Sequence, residues 1–548
     1  MKKIVYFGIL FISMIFMVTL ASCGEENYTA TGTLELINAN RYTLEVKASI
    51  VDDKEEVTRS SVQVVVYDED DAKVTYQLCS KIPNVDDEGN YEAETVILKG
   101  LKKNTTYKVK LNCTINDNAV TLAEKKLSTT DKGDTDSSPI MLYEASDFSR
   151  IANDLTAYYK LANDIDMVSG KDKTEWTPLF SSSSSSAFTG TFDGDGHTIS
   201  NFKQTSSTTY YGFFGYLSSK ATIKNVSFDN VEIKATRYSD TYLGVIAGYL
   251  SRNVNVNNVH VTNASITLNT SASQTKTHYA GGFTGYNEGA TITNSSVDST
   301  VITVTSSMYS YVGGFIGFNA SSGRNQVDSS TANTTIVVNQ KSDRITLDED
   351  DMIVQTIGGF VGYNTNSGSI SNCTSEGTIT SNLSFSQDPS KINTNQNVQI
   401  GGFVGMNEGV IYYCAASNSI DFTSFDAYNV NIGLFCGYMS DSFSAMMECV
   451  YIGTNSSFRL VLVNGDDSQT TTQTHEYNRV YNVGVIGQLG NFNSENDYSI
   501  YTISPKNIIM SSAVSSYSFT GDEASYADFN LAEAVLAKIN AWQVETTE

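Results

Sequence analysis

The segment Ile400-Gly-Gly-Phe-Val-Gly-Met-Asn407 recurs in near-copies through the C-terminal two thirds of the chain, and no other feature constrains the fold as tightly. Clear copies run from Ala280 to Asn287, Val312 to Asn319 and Ile357 to Asn364; looser ones from Tyr211 to Leu217, Leu243 to Leu250, Ile432 to Met439 and Val483 to Gln488. The closing glycines Gly215, Gly248, Gly285, Gly317, Gly362, Gly405, Gly437 and Gly487 are 33, 37, 32, 45, 43, 32 and 50 residues apart. Repeats of this period build solenoids or propellers, in which each unit buries its apolar face only against its neighbours.

Within one repeat, Tyr279 to Asn287, Thr291 to Val297 and Val301 to Thr305 read as three strands, parted by Glu288-Gly289 and Asp298-Ser299. Three short strands with a turn at each corner make one coil of a parallel β-helix. A propeller blade would need four antiparallel strands, and four runs are hard to find. Stacked coils place equivalent side chains ~4.8 Å apart, so every repeat position becomes a ladder. The inward ladder is expected to be Phe213, Ile246, Phe283, Phe315, Phe360, Phe403, Phe435 and Val485, flanked by glycines that leave room for the rings and permit unusual backbone angles. A second ladder, Asn287, Asn319, Asn364 and Asn407, sits at the strand end, where stacked amides can hydrogen-bond along the axis and tolerate a left-handed turn.

Which side of the strand faces in is not decided by periodicity. Alternation groups Phe360 with Thr356 and Gly362, and Ile357 with Val361 and Tyr363, so both sides carry apolar residues. With the Phe row inward, Tyr216, Tyr249, Tyr286, Phe318 and Tyr363, continued by Met406 and Tyr438, form an outward row. That row is the candidate ligand-binding stripe, because rigid flat rings stack on sugars or fill protein pockets at little entropic cost. Long inserts such as residues 342–355 would make it structural instead, by covering it.

The 548 residues include 40% hydrophobic and only 17% charged, with 39 Gly and 5 Pro, a mixture suited to short strands and tight polar turns. A net charge of -25 argues against nucleic acid and against anionic headgroups as partners. Residues 1–22 read as a signal peptide: Lys2 and Lys3 precede an apolar run that ends Leu20-Ala21-Ser22-Cys23. The LASC ending resembles the bacterial lipobox, which implies lipidation of Cys23 and membrane attachment through that N-terminal anchor. Gly24 in place of Asp implies the outer membrane. Glu25 and Glu26 resemble the acidic export tag of surface lipoproteins in Bacteroidota, so a cell-surface location is expected. Residues 23–29 form the anchor linker.

Residues 30–130 carry about seven alternating runs, among them Tyr42 to Ile50, Val62 to Tyr67 and Tyr107 to Cys113, which predict a β-sandwich. Leu98, Leu101 and Tyr107 resemble the corner of fibronectin type III domains, where a tyrosine hydroxyl ties the turn to the next strand. Residues 131–139 are a linker by composition. A short helix from Ala145 to Leu155, capped by Ser146, is expected to cover the open end of the solenoid, which extends over 140–530. A second cap helix at 531–548 starts at Asn530, with Leu531, Val535, Ile539 and Trp542 on one face. The fold class is therefore all-β: an N-terminal β-sandwich followed by a right-handed parallel β-helix with capping helices at both ends.

Tyr158 to Met167, Phe188 to Ile199 and the repeats themselves, together with Ile370-Ser-Asn-Cys373, resemble the GLUG-motif family. Its repeats occur in bacterial adhesin-like surface proteins and beside the catalytic domains of some IgA-cleaving metallopeptidases. The resemblance implies a non-enzymatic surface scaffold whose partner is a host or microbial surface glycan or protein. His475-Glu476 continues Tyr-Asn-Arg, so the HExxH of the related peptidases is missing. Cys373, Cys414 and Cys449 occupy matching places and are expected to stack as buried thiols rather than cross-link. Asp164, Asp166, Asp193 and Asp195 suit either calcium or turns, and turns are the commoner use. No zinc spacing, P-loop, dinucleotide fingerprint or nucleophile elbow occurs, so catalytic residues, metal and cofactor are all assigned as none. The alternative is a polysaccharide-handling protein, a glycan-binding subunit or a lyase; a lyase requires a compact charged group in one groove.

Overall fold

Runs in which β-branched and aromatic residues alternate with polar ones become strands almost everywhere in this computed structural model. It describes residues 28–510 except 87–89, 170–171, 181–187, 238, 271–275, 307–308, 321–324, 341–352, 385–395, 426–428, 441–444, 453–455, 462–479, 490–497 and 504–507. The signal peptide, Cys23 and the C-terminal cap helix lie outside the described residues. The chain divides into two units, the first ending at Thr130 and the second starting at Asp131.

The first unit holds strands β1 (Thr31–Ala39), β2 (Leu44–Val51), β3 (Gln63–Tyr67), β4 (Lys73–Leu78), β5 (Ala93–Leu98), β6 (Thr106–Ile115) and β7 (Asn118–Ser128). They form two antiparallel sheets, β1-β2-β5 and β4-β3-β6-β7. Alternation works here as expected: Leu44, Val46, Ala48 and Ile50 of β2 meet Tyr107, Val109, Leu111, Cys113 and Ile115 of β6 in one buried cluster. Each such aliphatic side chain contributes roughly 1.5–3 kcal/mol on burial. The Tyr107 hydroxyl accepts the Lys102 N–H at 2.8 Å, tying the turn to β6 as the sequence predicts.

The second unit is a parallel β-solenoid. One coil comprises Thr277–Gly281 and Thr284–Asn287 on one sheet, then Thr291–Thr293 and Ser296–Ser306 on another. Equivalent strands pair in parallel from coil to coil, as Thr277–Gly281 does with Tyr309–Gly313 and that strand with Ile353–Gly358. The predicted single strand from Tyr279 to Asn287 is thus two strands, broken at Gly282-Phe283. The glycines are needed for close approach, since none of these pairs has a positive φ. A Cβ on Gly313 would lie 1.9 Å from the Ile316 carbonyl, and one on Gly359 would lie 2.1 Å from the Gly402 carbonyl of the next coil.

The bend also overrides alternation. Ile357, Phe360 and Val361 are all fully buried, although a continuous strand would place Phe360 opposite the other two. The Phe row does face inward, with Phe283, Phe315, Phe360, Phe403 and Phe435 stacked at centroid spacings of 4.5, 4.9, 5.0 and 5.0 Å. Its first member differs from expectation. Backbone hydrogen bonds align Phe214, not Phe213, with Ile246 and Phe283. Phe213 is instead stacked on Trp176 at 4.8 Å, closing the end of the core.

The asparagine ladder is buried and continuous: the side-chain amide of Asn287 donates to Asn319 at 2.9 Å, Asn319 to Asn364 at 2.8 Å and Asn364 to Asn407 at 2.9 Å. These residues do not take the left-handed conformation. That role falls to corner residues such as Asn225, Asn258, Asn294 and Asn372, at φ 53, 55, 52 and 54°. The N-terminal cap is a 3-10 helix, Ala145–Asn153, whose N-cap is Glu144 rather than Ser146. Asp147 reaches back to the Tyr143 and Glu144 amides at 2.7 and 3.3 Å, which fixes the N-cap two residues earlier. Its Phe148 is fully buried, edge-on to Phe213 at 5.0 Å. Residues 131–139 do not behave as a free linker: Tyr158 N–H donates to the Gly133 carbonyl at 2.8 Å, and a Cβ on Gly133 would strike Ile140 at 2.9 Å. Cys373, Cys414 and Cys449 are buried free thiols, and burial pushes the Cys414 thiol well above its ordinary range.

Candidate interaction ridge

Tyr216, Tyr249, Tyr286, Phe318 and Tyr363 stand in register on successive strands, with Met406 and Tyr438 continuing the row. All are half-buried. The structure adds a second row that the sequence reading missed: Tyr210, Tyr242, Tyr279 and Tyr311, on the strands before the bend. The signal was present as tyrosines seven residues ahead of Tyr249, Tyr286 and Phe318. A spacing of seven puts two residues on opposite sides of a continuous strand; only the bend brings them to one side.

The two rows interlock. Along each row the rings stack, at 4.9, 4.8 and 5.1 Å from Tyr216 to Phe318 and at 5.0, 4.8 and 5.5 Å from Tyr210 to Tyr311. Between rows they meet edge to face, as Tyr279 meets Tyr286 at 5.2 Å and Tyr311 meets Phe318 at 4.9 Å. The second row ends at Tyr311, because the next coil places Thr356 there. Tyr363 leaves the first stack accordingly, turning edge-on to Phe318 at 4.8 Å and lying against Tyr311 at 5.9 Å.

Stacking within a row consumes the ring faces. The nine aromatic side chains form a continuous half-buried ridge, in which the eight stacked rings turn their faces to one another. Burial pushes the Tyr242 hydroxyl up to about 12 and raises those of Tyr249, Tyr279 and Tyr363 further, with the charges of Glu288 beside Tyr249 and Glu408 beside Tyr363 adding to the effect. The phenols are therefore neutral donors at any physiological pH. The charged groups acting on the ridge are Asp240 near Tyr242 and Tyr279, Glu408 beside Tyr363, and Glu288 beside Tyr249. Glu288 is paired with Arg252 at 3.1 Å and accepts the Ser251 hydroxyl at 3.1 Å.

A second polar group lies near the start of the solenoid. Asp193 accepts the Tyr158 hydroxyl at 2.8 Å, the Asn225 amide at 3.1 Å and Lys224 Nζ at 3.2 Å, while Lys160 pairs with Asp195 at 2.8 Å. Burial opposes ionisation of Asp193, but these donors and the Asp195 N–H outweigh it and hold the carboxyl below its usual range. Burial raises the Tyr158 hydroxyl, so it is poorly suited to act as a base. Asp164 is likewise engaged, by His197 at 3.1 Å and the Thr198 N–H at 2.9 Å, and Asp166 by Asn201 at 2.7 Å. These carboxylates clip neighbouring strands together.

The GLUG motif model matches residues 277–302 and 354–380. The first window opens on the strand Thr277–Gly281 and runs through three strands of one coil into the fourth, Ser296–Ser306. Over 124 residues the chain is 33% identical to halomucin of Haloquadratum walsbyi, a match that covers 21% of this chain and 1% of halomucin. The chain thus spans a very small part of that relative's length. It carries GLUG-motif repeats, each of them one coil of a parallel β-solenoid.

Proposed function

We propose that the protein is a lipid-anchored cell-surface scaffold that binds a partner along the aromatic ridge and performs no catalysis. The observation that carries this reading is the ridge itself: nine half-buried aromatic side chains, continuous over successive coils, on the outside of a chain whose net charge is -25. Contiguous apolar surface of this kind marks interaction sites in soluble proteins. The GLUG repeats and the LASC ending at Cys23 support the surface location. A protein partner is favoured over a glycan, because sugars stack on ring faces and the faces here are taken by neighbouring rings.

Two measurements test the reading. Cys23→Ala is expected to move the protein from the membrane fraction to the soluble fraction; retention in membranes overturns the anchor. The released protein, fluorescently labelled, is expected to bind intact cells. Tyr249→Ser combined with Tyr286→Ser should reduce that binding at least tenfold while circular dichroism stays unchanged. Equal binding by the variant removes the ridge from the function. The lyase alternative would localise to Asp193, Lys224 and Tyr158, and release of unsaturated products from a polysaccharide panel would support it against the scaffold reading.

A further inference from the structure

The ridge has a repeat distance, and that distance selects what can lie against it. Successive rings are 4.8 to 5.1 Å apart along the row from Tyr216 to Phe318. An extended peptide running along the axis offers side chains to one face every ~6.7 Å, and falls out of step within two coils. An α-helix repeats at ~5.4 Å per turn, and drifts ~2.4 Å over four coil spacings. The rungs of another parallel β-solenoid repeat at ~4.8 Å and stay in step over the whole ridge. This commensurability is the one that lets identical side chains interlock between sheets in stacked β structures.

Resting on the scaffold reading above, we propose that the partner is a second copy of this chain, packed side by side with its ridge against the first and its rungs level. Charge supports the choice. A chain of net charge -25 repels its own copies, so self-association requires a face that carries little of that charge. The ridge carries few charges: its rings are neutral, Glu288 is paired with Arg252, and Asp240 near Tyr242 and Tyr279 and Glu408 beside Tyr363 are the other charged groups that act on it. The contact is isologous and closes as a dimer. Tyr279 and Tyr286 sit near the middle of the seam, with Tyr210 and Tyr363 towards its ends. Five coils give a seam only ~20 Å long, which buries less than the ~1,600 Å² of a standard stable complex. The dimer is therefore weak in dilute solution, and tethering of both copies to one membrane supplies the local concentration that populates it.

The test is sedimentation velocity of the Cys23→Ala protein from ~10 µM to ~1 mM. The expected result is a mass that rises towards twice the monomer's with concentration, and rises further when salt screens the net charge. Tyr249→Ser with Tyr286→Ser should weaken dimerisation at least tenfold. Thr277→Glu adds a charge beside the ridge without removing a ring and should have the same direction of effect, which covers the case in which the serine variant folds poorly. Tyr76→Ser, on the first unit, should leave the mass profile unchanged. A monomer over the whole range overturns the inference, as does unaltered dimerisation in both ridge variants. If the mass stays monomeric while cell binding still depends on Tyr249 and Tyr286, the ridge takes a different partner, and the scaffold reading survives where this one fails.

Discussion

His278 should make the solenoid acid-sensitive, by an amount that follows from its surroundings. It lies on the strand Thr277–Gly281 with its side chain inside the coil, 4% exposed, in register with Thr241 on one side and Ser310 on the other. Its Nδ1 has no hydrogen-bond partner. Burial lowers its pKa from 6.5 to about 4, against an opposing pull from Asp240. The folded form therefore binds the proton more weakly than the unfolded chain does. Stability from this group is fully present above about 6.5, is lost progressively as pH falls from there to about 4, and changes no further below. This difference corresponds to about 3 kcal/mol, at ~1.4 kcal/mol for each tenfold change in proton affinity. Replacement by threonine, the residue found at this place one coil earlier, removes the titrating group while keeping a small polar side chain. Guanidinium unfolding of the full chain, compared with His278→Thr at matched pH, reads the difference. The wild type should lose about 3 kcal/mol relative to the variant between neutral pH and pH near 4, and amide exchange in residues 277–281 should report the same trend. Identical pH dependence in the two proteins would refute the reasoning, since every other titrating group is shared.

Three further outcomes follow from packing. Asn364→Ala breaks two amide–amide bonds of the buried ladder and leaves Asn319 and Asn407 each short of a partner, so thermal unfolding should show a loss of ~2–4 kcal/mol. Gly359→Ala drives a methyl group to within 2.1 Å of the Gly402 carbonyl, a backbone atom that cannot swing aside; soluble yield should fall sharply, and a normal melting profile would contradict the close-approach account. Tyr107→Phe deletes the hydroxyl that accepts the Lys102 N–H, and should cost the first unit ~1 kcal/mol in a denaturant titration without altering the solenoid transition.

Much of this architecture is legible in the sequence because a solenoid repeats its instructions. One position read in four copies identifies a ladder, so the Phe row and the Asn row are legible as ladders in the sequence alone, though not which way the Phe row faces. The sandwich strands were legible for another reason: β6 is continuous, and period-two alternation predicts its buried Tyr107, Val109, Leu111, Cys113 and Ile115 directly. The least regular repeat misled. Gly212-Phe213-Phe214 lacks one residue between its tyrosines, and only the hydrogen-bond register shows that Phe214 holds the ladder position.

The sequence by itself determined the coil, its period, the phenylalanine ladder and the stacked asparagines, because each depends on a residue type recurring at a fixed place along the chain; which side of the strand faces in was left to the structure. Tertiary structure decided the rest. Whether Tyr279 meets Tyr286 depends on a bend at Gly282-Phe283 that folds two strands towards each other, and no periodicity encodes the angle of a bend. Whether a tyrosine offers its face or its edge depends on the ring one coil away, 32 to 45 residues distant in the clear repeats. Stacking between coils is a contact between equivalent residues, so it turned a row of flat binding platforms, as the sequence suggested, into a half-buried ridge of rings that turn their faces to one another.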